Sequence, residues 1–588
     1  MRFKNTSKNI HAQTLYDYSS SLMREETVSF LLDYAAKARQ KRDEYTKKMR
    51  RYYDGKHDIH LQSESFAAEN SLPFIPCQST DGYIHVETQI SANVPDFEFS
   101  PRDKGDYGKA KQREKIVKFI CDNNDLSYKN ARNERSLCID GSAVWKVAWD
   151  SSAFYGEDGG DVTVLCPKSG EIYPDPSATD VDSCEYIGYV YRMHKQKAAR
   201  IFGKDLKRLS LSIDDCTENT AGVILESDLY GGEDETVSIT EWWFRQTSDG
   251  RCDIYDGDRK LHYEWKAGDI ACSILMGSKE IRYIPRYWNK TGFKDFPFVI
   301  YSKIPDDKSI WGKSELEQII PLIDAKDREL CYAQLNAAFN SNDIILMEEN
   351  ALSDGENLDN SPGAVWKVRP GMMGKVARLG NISNAESSLY NGASFWQSLI
   401  ESTTGNFDVN QGKEPTSVTT ATGIALLNER AESRRSLKNI DRNAAFSRLY
   451  RLIDKTALEY YGDGRIVRMG AAEGEDFVYS YGGFIERTRK TKYIPELDVT
   501  VHTGSSTQHS RAFTISALEK LMTMNIDKDN YRFVKAYVES VAIPESANIC
   551  AYLEEKFGDG ENNTQDGDIK RIENMIAYLM SEGEKADE

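Results

Sequence analysis

At 588 residues, with a hydrophobic share of 40% and a charged share of 29%, the chain is too long for one core and reads as several packed units, about three to five by length. A formal net charge of −18 excludes a sequence-nonspecific DNA clamp, whose surface must neutralise phosphates, although it suits a wall past which a duplex slides. The ten cysteines stand singly, with no C-x-x-C pair, which argues against a structural zinc and for reduced thiols.

No signal-like amino terminus and no apolar run near ~18 residues is present, so the expected setting is a reducing cytoplasm without membrane insertion. Residues 1–24 are polar and read as a flexible amino-terminal segment. Over 25–53, Val28, Leu31, Leu32, Ala35, Ala38 and Tyr45 share one helical face, and Gly55 is a natural stop. The later half of this helix is basic: Lys37, Arg39, Lys41, Arg42, Lys47, Lys48, Arg50 and Arg51. It reads as a solvated face interleaved with Asp43 and Glu44, or else as a contact with nucleic acid or an acidic partner. His57 and His60 lack partners at metal-ligand spacing and are expected at the surface.

Further helices are predicted over 81–93, 109–123 and 126–140, and 141–150 alternates as a strand. Strands at 162–165 and 185–193 flank the turn cluster Ile172-Tyr-Pro-Asp-Pro176. Residues 194–203 resemble a short helix, 214–235 a polar loop, and 237–301 a meander of strands. Asp175, Asp180 and Asp182 invite a reading as a carboxylate site. No histidine or phosphate-binding glycine loop accompanies them, and turn-forming Asp and Pro account for the cluster. Residues 25–313 are expected to form an α+β domain.

Ser314-Glu-Leu-Glu317 is a capping box opening a helix that runs to about residue 340, with a kink expected at Pro321. Leu316, Ile319, Ile320 and Ile323 make an apolar patch, and the middle then turns charged: Asp324, Lys326, Asp327, Arg328 and Glu329. Such a block predicts a helix packed beside copies of itself, its charges facing neighbours or a wet channel. Short strands over 343–347, 364–368 and 374–379 form a small module. A second capping box, Ser383-x-x-Glu386, starts a returning helix with Leu389, Ala393, Trp396 and Ile400 on one face. Residues 403–420 have the composition of an exposed loop. A helix of about forty residues follows over 421–461, about 60 Å long. Along it Arg430, Arg434, Lys438 and Arg442 recur every four residues, a basic stripe that faces either a neighbouring subunit or DNA.

Several of these runs, taken in order, resemble tailed-bacteriophage portal proteins. Trp311-Gly-Lys-Ser314, Ile320-Pro-Leu-Ile-Asp-Ala-Lys-Asp-Arg-Glu-Leu330 and Asp343-Ile-Ile-Leu-Met347 look like the first stem helix and the entry to the clip. Thr419-Thr-Ala-Thr-Gly-Ile-Ala-Leu426 is similar to the segment after the tunnel loop. Gly141-Ser-Ala-Val-Trp-Lys-Val147 and Ile172-Tyr-Pro-Asp-Pro176 resemble wing segments. No single motif is specific. The order is, over residues 25–500.

The resemblance implies an α+β portal fold: wing 25–313, stem helices 314–340 and 385–403, a β-rich clip 341–384, tunnel loop 404–420, long wing helix 421–462, wing return strands 463–504, and a helical crown with an acidic tail over 505–588. It turns Thr404, Asn406, Asn410, Gln411, Lys413, Thr416, Ser417 and Thr419 toward DNA. It implies a ring of about twelve copies closed by rotation, at one vertex of the virion capsid, assembled in the host cytoplasm. The implied partners are double-stranded DNA in the channel, the large terminase, major capsid and scaffolding proteins, and a head–tail adaptor, with no membrane. No catalytic residue, cofactor or metal is implied, and the chain contains no G-x-x-x-x-G-K-[ST] loop. Two other classes stand beside this one: a different head–tail or baseplate structural protein, and a carboxylate-dependent hydrolase built on Asp175, Asp180 and Asp182.

Overall fold

The computed structural model describes residues 18, 20–57, 78–90, 94–102, 106–151, 153, 159–213, 216, 236–256, 259–341, 345–347, 369–372, 376–378, 386–404, 421–462, 465–468, 476–478, 486–488, 491–494, 497–502 and 534, with the side chains of most of them. Two compact units emerge, Met1–Val94 with Phe99–Val499, and Pro95–Glu98 with Thr500–Glu588. In the second, the described residues are 95–98, 500–502 and the buried Val534. The predicted crown helices otherwise lie outside the described residues, as do His60, the predicted strand 364–368 and the loop 405–420.

The first unit mixes helix with antiparallel sheet, as an α+β reading expects. Helix α1, Ser21–Tyr53, begins where the Ser20 hydroxyl accepts the Met23 amide, and Gly55 just beyond it takes φ +68°. Then come α2, Asp81–Gln89, strand β1, Asp96–Pro101, and the helices α3, Tyr107–Asn123, and α4, Leu126–Asp140. Gly141 caps α4 at φ +80°, and a Cβ there would lie 2.5 Å from the Lys313 carbonyl carbon. Only glycine fits both demands.

Strand β2, Ala143–Asp150, pairs with β3, Asp161–Leu165. Then follow β4, Ile172–Pro174, β5, Tyr186–His194, helix α5, Lys195–Leu209, and the strands β6, Thr236–Arg245, β7, Gly250–Asp256, β8, Arg259–Trp265, β9, Ile270–Met276, β10, Lys279–Ile284, and β11, Phe298–Tyr301. One sheet has the order β10-β9-β6-β5-β4, a second β11-β2-β3. Period-2 alternation divides the larger sheet's side chains between two helices. Tyr186, Val190, Trp242, Phe244, Ala271 and Leu275 pack under Val28, Leu31, Leu32 and Ala35 of α1. Val237, Ile239 and Met276 face Ala198, Phe202 and Leu206 of α5. Gly188 makes room for the Trp242 ring, 2.8 Å from where its Cβ would stand.

Helix α6, Ile320–Ser341, leads to β12, Ile345–Met347, which pairs antiparallel with β13, Val376–Arg378. Helix α7, Glu386–Thr404, and the long α8, Ala421–Tyr460, follow. The carboxyl half of α8 lies on the three-stranded sheet, with Phe446 edge-on to Trp145 and Tyr460 stacked on Trp149. The remaining strands are β14, Ile466–Arg468, paired with β15, Asp476–Val478, then β16, Glu486–Thr488, paired with β17, Thr491–Tyr493, and finally β18, Leu497–His502.

The start of α6 corrects two expectations. The helix begins at Ile320, so Pro321 lies in its first turn, where no intrahelical amide bond is lost, and it does not kink a helix interior. The capping box does not close. The Ser314 hydroxyl accepts the Leu316 amide, but the Ser314 amide donates to the Tyr45 hydroxyl, which in turn donates to Glu317. A tyrosine from α1 stands where Glu317 was expected to reach back. Of the second capping box, Ser383 lies outside the described residues.

Candidate functional site at the base of a helical hairpin

Helices α6 and α7 run antiparallel, since Lys326 meets Gln397 and Glu329 meets Trp396 and Gly392. Their base is a shared apolar cluster in which Met49 and Tyr52 of α1, Val86 of α2, and Cys138 and Ile139 of α4 pack on Leu316, Ile319, Ile320, Ile323 and Ile400. This junction ties the hairpin to both sheets through α1 and α4.

Within the chain, four of the five charges in the middle of α6 find partners. Asp327 is fully buried, 2.6 Å from His57 Nδ1, and also accepts the Ser79 amide at 3.1 Å. His57 is buried as well, stacked on Tyr52 with ring centroids 4.6 Å apart, so the surface placement expected for it is corrected. Asp324 accepts from the Tyr52 hydroxyl at 2.6 Å, Lys326 donates to Asp81 and Gln397, and Glu329 accepts from Trp396 Nε1 at 3.0 Å. Arg328 alone of the five is exposed. Taking charges from water is costly unless each finds a partner, and here the partners come from α1, α2, α7 and the segments carrying His57 and Ser79.

The basic half of α1 is divided: Lys37, Lys41, Lys47, Lys48 and Arg51 are exposed, as a solvated face expects, whereas Arg39, Arg42 and Arg50 turn inward. Arg39 is buried and donates to the Ile172 carbonyl, Arg42 donates to the carbonyls of Gly312 and Asp140, and Arg50 forms a two-pronged bond to the Asp140 carboxylate at 2.8 and 3.0 Å. Burial foremost lowers the Arg42 pKa, against the opposing pull of Tyr45 and Asp140. Burial likewise pushes the Tyr45 phenol up to about 12, with Glu317 adding to the rise. Tyr45 therefore stays a neutral donor to Glu317 at physiological pH.

A second buried network fixes α8. Glu134 of α4, with no exposed surface, takes Arg442 at 2.7 Å on one oxygen and Lys303 at 3.5 Å on the other. The Lys303 ammonium also lies 3.1 Å from the Cys138 sulfur and 2.9 Å from the Gln89 carbonyl. Burial lowers its pKa, but Cys138, Glu134 and Glu315 together outweigh burial and the net direction is upward. Burial raises the Cys138 thiol to about 11. About three turns further along α8, Arg113 of α3 grips Asp454.

Arg442, expected to face a neighbour or DNA, thus bonds within its own chain. Arg430, Arg434 and Lys438 lie on the α8 backbone ahead of it, in a stretch whose side chains are outside the described residues. Of the loop candidates, Thr404 ends α7 with its hydroxyl on the Glu401 carbonyl. Asn406, Asn410, Gln411, Lys413, Thr416, Ser417 and Thr419 are outside the described residues.

Sequence reading missed Tyr45, Tyr52 and His57 as partners of the hairpin, and Glu134 and Lys303 as partners of α8. Tyr45 and Tyr52 share a helical face with Met49, a signal visible in the sequence. Nothing local marks Glu134, whose partner Arg442 is 308 residues away.

Asp175, Asp180 and Asp182 do not converge on a site. Asp175 accepts the amide and hydroxyl of Ser177, Asp180 accepts the Ser183 amide, and Asp182 pairs at the surface with Arg448. The bonds of Asp175 and Asp180 are turn bonds, and that of Asp182 is a surface ion pair. Among the described residues, no group of three His, Cys, Asp or Glu side chains is placed to hold a metal ion, and no helix is long and apolar enough to cross a membrane. The described cysteines are free thiols, six of them buried. A family model described as "Phage P22-like portal protein" matches residues 32–571. No curated protein matches the chain.

Proposed function

We propose, on the premise that this chain belongs to the P22-like phage portal protein family, that its copies close head to tail into a ring of about twelve at one capsid vertex. Portal proteins are structural parts of the virion and not enzymes. The ring is the channel through which double-stranded DNA enters during packaging by the large terminase and leaves at ejection. It is incorporated with the major capsid and scaffolding proteins and later seats a head–tail adaptor. Residues 25–313 serve as wing, α6 and α7 as stem, 341–384 as clip, 404–420 as tunnel loop, α8 as the long wing helix, 463–504 as return strands and 505–588 as crown.

The observation that carries this reading is the antiparallel α6–α7 hairpin with the β12–β13 pair set between its helices in sequence. It is an extension braced at its base by buried ion pairs and followed by a helix of 40 residues. Electron microscopy of the purified protein tests it. A ring with an open axial channel is expected, and a chain that stays monomeric or dimeric under every assembly condition would sink the reading. Shortening 404–420, or Lys413→Ala, is expected to impair packaging or retention of DNA while rings still form. Arg434→Glu with Lys438→Glu separates the two roles open to the stripe, since lost assembly marks a subunit contact and intact rings with altered packaging mark DNA.

A further inference from the structure

The most one-sided charge among the described side chains is on α5, a helix that the function above does not use. Six of its residues are basic (Lys195, Lys197, Arg200, Lys204, Lys207 and Arg208) against a single acid, Asp205. Asp205 is already engaged, 2.5 Å from Arg282 of β10. Ala198, Phe202 and Leu206 fix the helix on the five-stranded sheet, and at 100° per residue Lys197, Arg200, Lys204 and Lys207 fall within about 80° of arc on the opposite side. All four are exposed. None pairs with a described carboxylate. At 1.5 Å per residue the row is about 15 Å long.

We infer that this face of α5 is a docking surface for the phosphate backbone of double-stranded DNA. That the polyanion is DNA rests on the portal reading; that the surface binds a polyanion rests on its charge. Two features favour phosphate over a second copy of this chain. Protein interface cores are depleted in lysine and rich in aromatic residues, and this row holds no aromatic side chain. A same-sign row without interleaved acids also repels any basic patch, whereas a duplex offers one negative charge per about 1.7 Å of axis. The surface is local, on a chain whose net charge of −18 repels DNA elsewhere, so contact is confined to this face and stays weak and salt-sensitive.

The test is the affinity of the full-length protein for a fluorescent mixed-sequence duplex of about 30 base pairs, followed by anisotropy over a range of salt. Each phosphate contact contributes about −0.9 to the slope of log affinity against log salt. Four contacts give a slope near −3.6, or about a 150-fold loss of affinity between 50 and 200 mM salt. Lys204→Gln with Lys207→Gln is expected to reduce the slope by about 1.8. Lys41→Gln with Lys47→Gln, an equal change of net charge at exposed positions of α1, is expected to leave it unchanged.

Equal effects of the two pairs, or no effect of the α5 pair, would overturn the proposal. So would an α5 pair that changes ring assembly instead of DNA affinity, because the face would then meet a second copy. Circular dichroism and the thermal midpoint check folding, and the four single Gln variants give a graded slope should the pair be unstable. A parent that forms no ring would remove the portal reading but leave the slope test intact, whereas rings with an unaltered slope would remove the α5 assignment alone.

Discussion

Helices α1 and α5 carry similar charge, and four arginines of α1 put theirs to the opposite use from the row on α5. Both lie on the five-stranded sheet, α1 over Trp242 and Phe244, α5 over Val237 and Ile239. In α1, Arg24, Arg39, Arg42 and Arg50 fold inward onto Glu280, two backbone segments and Asp140. In α5 the row from Lys197 to Lys207 points away from the sheet. Residue type separates them in part. Arginine's planar fork satisfies several acceptors at once and is weakly hydrated, so it can be buried, whereas lysine stays with water. A basic run in a sequence is therefore two different objects, a set of internal ties or an external surface, and partner carboxylates far along the chain decide which.

The contrast breaks most readily at the internal ties. Glu134→Ala leaves Arg442 and Lys303 together in a buried site without their carboxylate. It is expected to cost about 3–5 kcal/mol, read as a lower urea midpoint by tryptophan fluorescence. A loss under about 1 kcal/mol would mean that the network is solvated and the contrast false. Arg50→Met removes both prongs from the buried Asp140, which keeps the Ser169 hydroxyl. A cost of about 1–3 kcal/mol is expected in the same measurement.

On α5 the expected effects are small. Gly203 has open space around its would-be Cβ, so Gly203→Ala should raise stability by about 0.5–1 kcal/mol. Lys204→Gln should move it by no more than about 0.5 kcal/mol. Destabilisation by Lys204→Gln as large as that by Arg50→Met would erase the distinction between the two helices.

The smallest effect concerns pH. Hydrogen bonds from Arg135, then from Tyr53, hold Glu87 below the ordinary carboxylate value. A carboxylate with a depressed folded pKa stabilises above its unfolded value, and that contribution disappears as pH falls through the folded one. A slight fall of the thermal midpoint below about pH 4.5 is therefore expected, and Glu87→Gln should flatten it.

Much of the fold was legible because it is local. The limits of α4 and the start of α8 follow from period 3.6, and β2 and β5 from period 2 with a turn cluster between them. What was illegible is long-range. The block Asp324–Glu329 looked exposed because a sequence window holds no sign of Tyr52, His57 or Asp81, and Arg442 looked like one of four equal stripe residues because Glu134 is far off in the chain. Helix α5 was underestimated for a different reason. Its predicted span stopped at 203, whereas the helix runs on to Leu209. The cut fell ahead of Lys204, Lys207 and Arg208, and its charge was lost with it.

The Tyr45 hydroxyl, set between the Ser314 amide and Glu317, has a mechanical consequence. The turn from Ser314 into α6 is a joint clasped by a residue 269 positions earlier in the chain. Force drawn along the hairpin does not end at that joint. At the joint the tyrosine ties the hairpin to a helix of 33 residues that lies on the large sheet, while Ser314 and Glu315 tie it to the Cys138 carbonyl of α4. Tyr45→Phe keeps the ring and removes both hydrogen bonds of the clasp, and is expected to loosen the joint while leaving its shape.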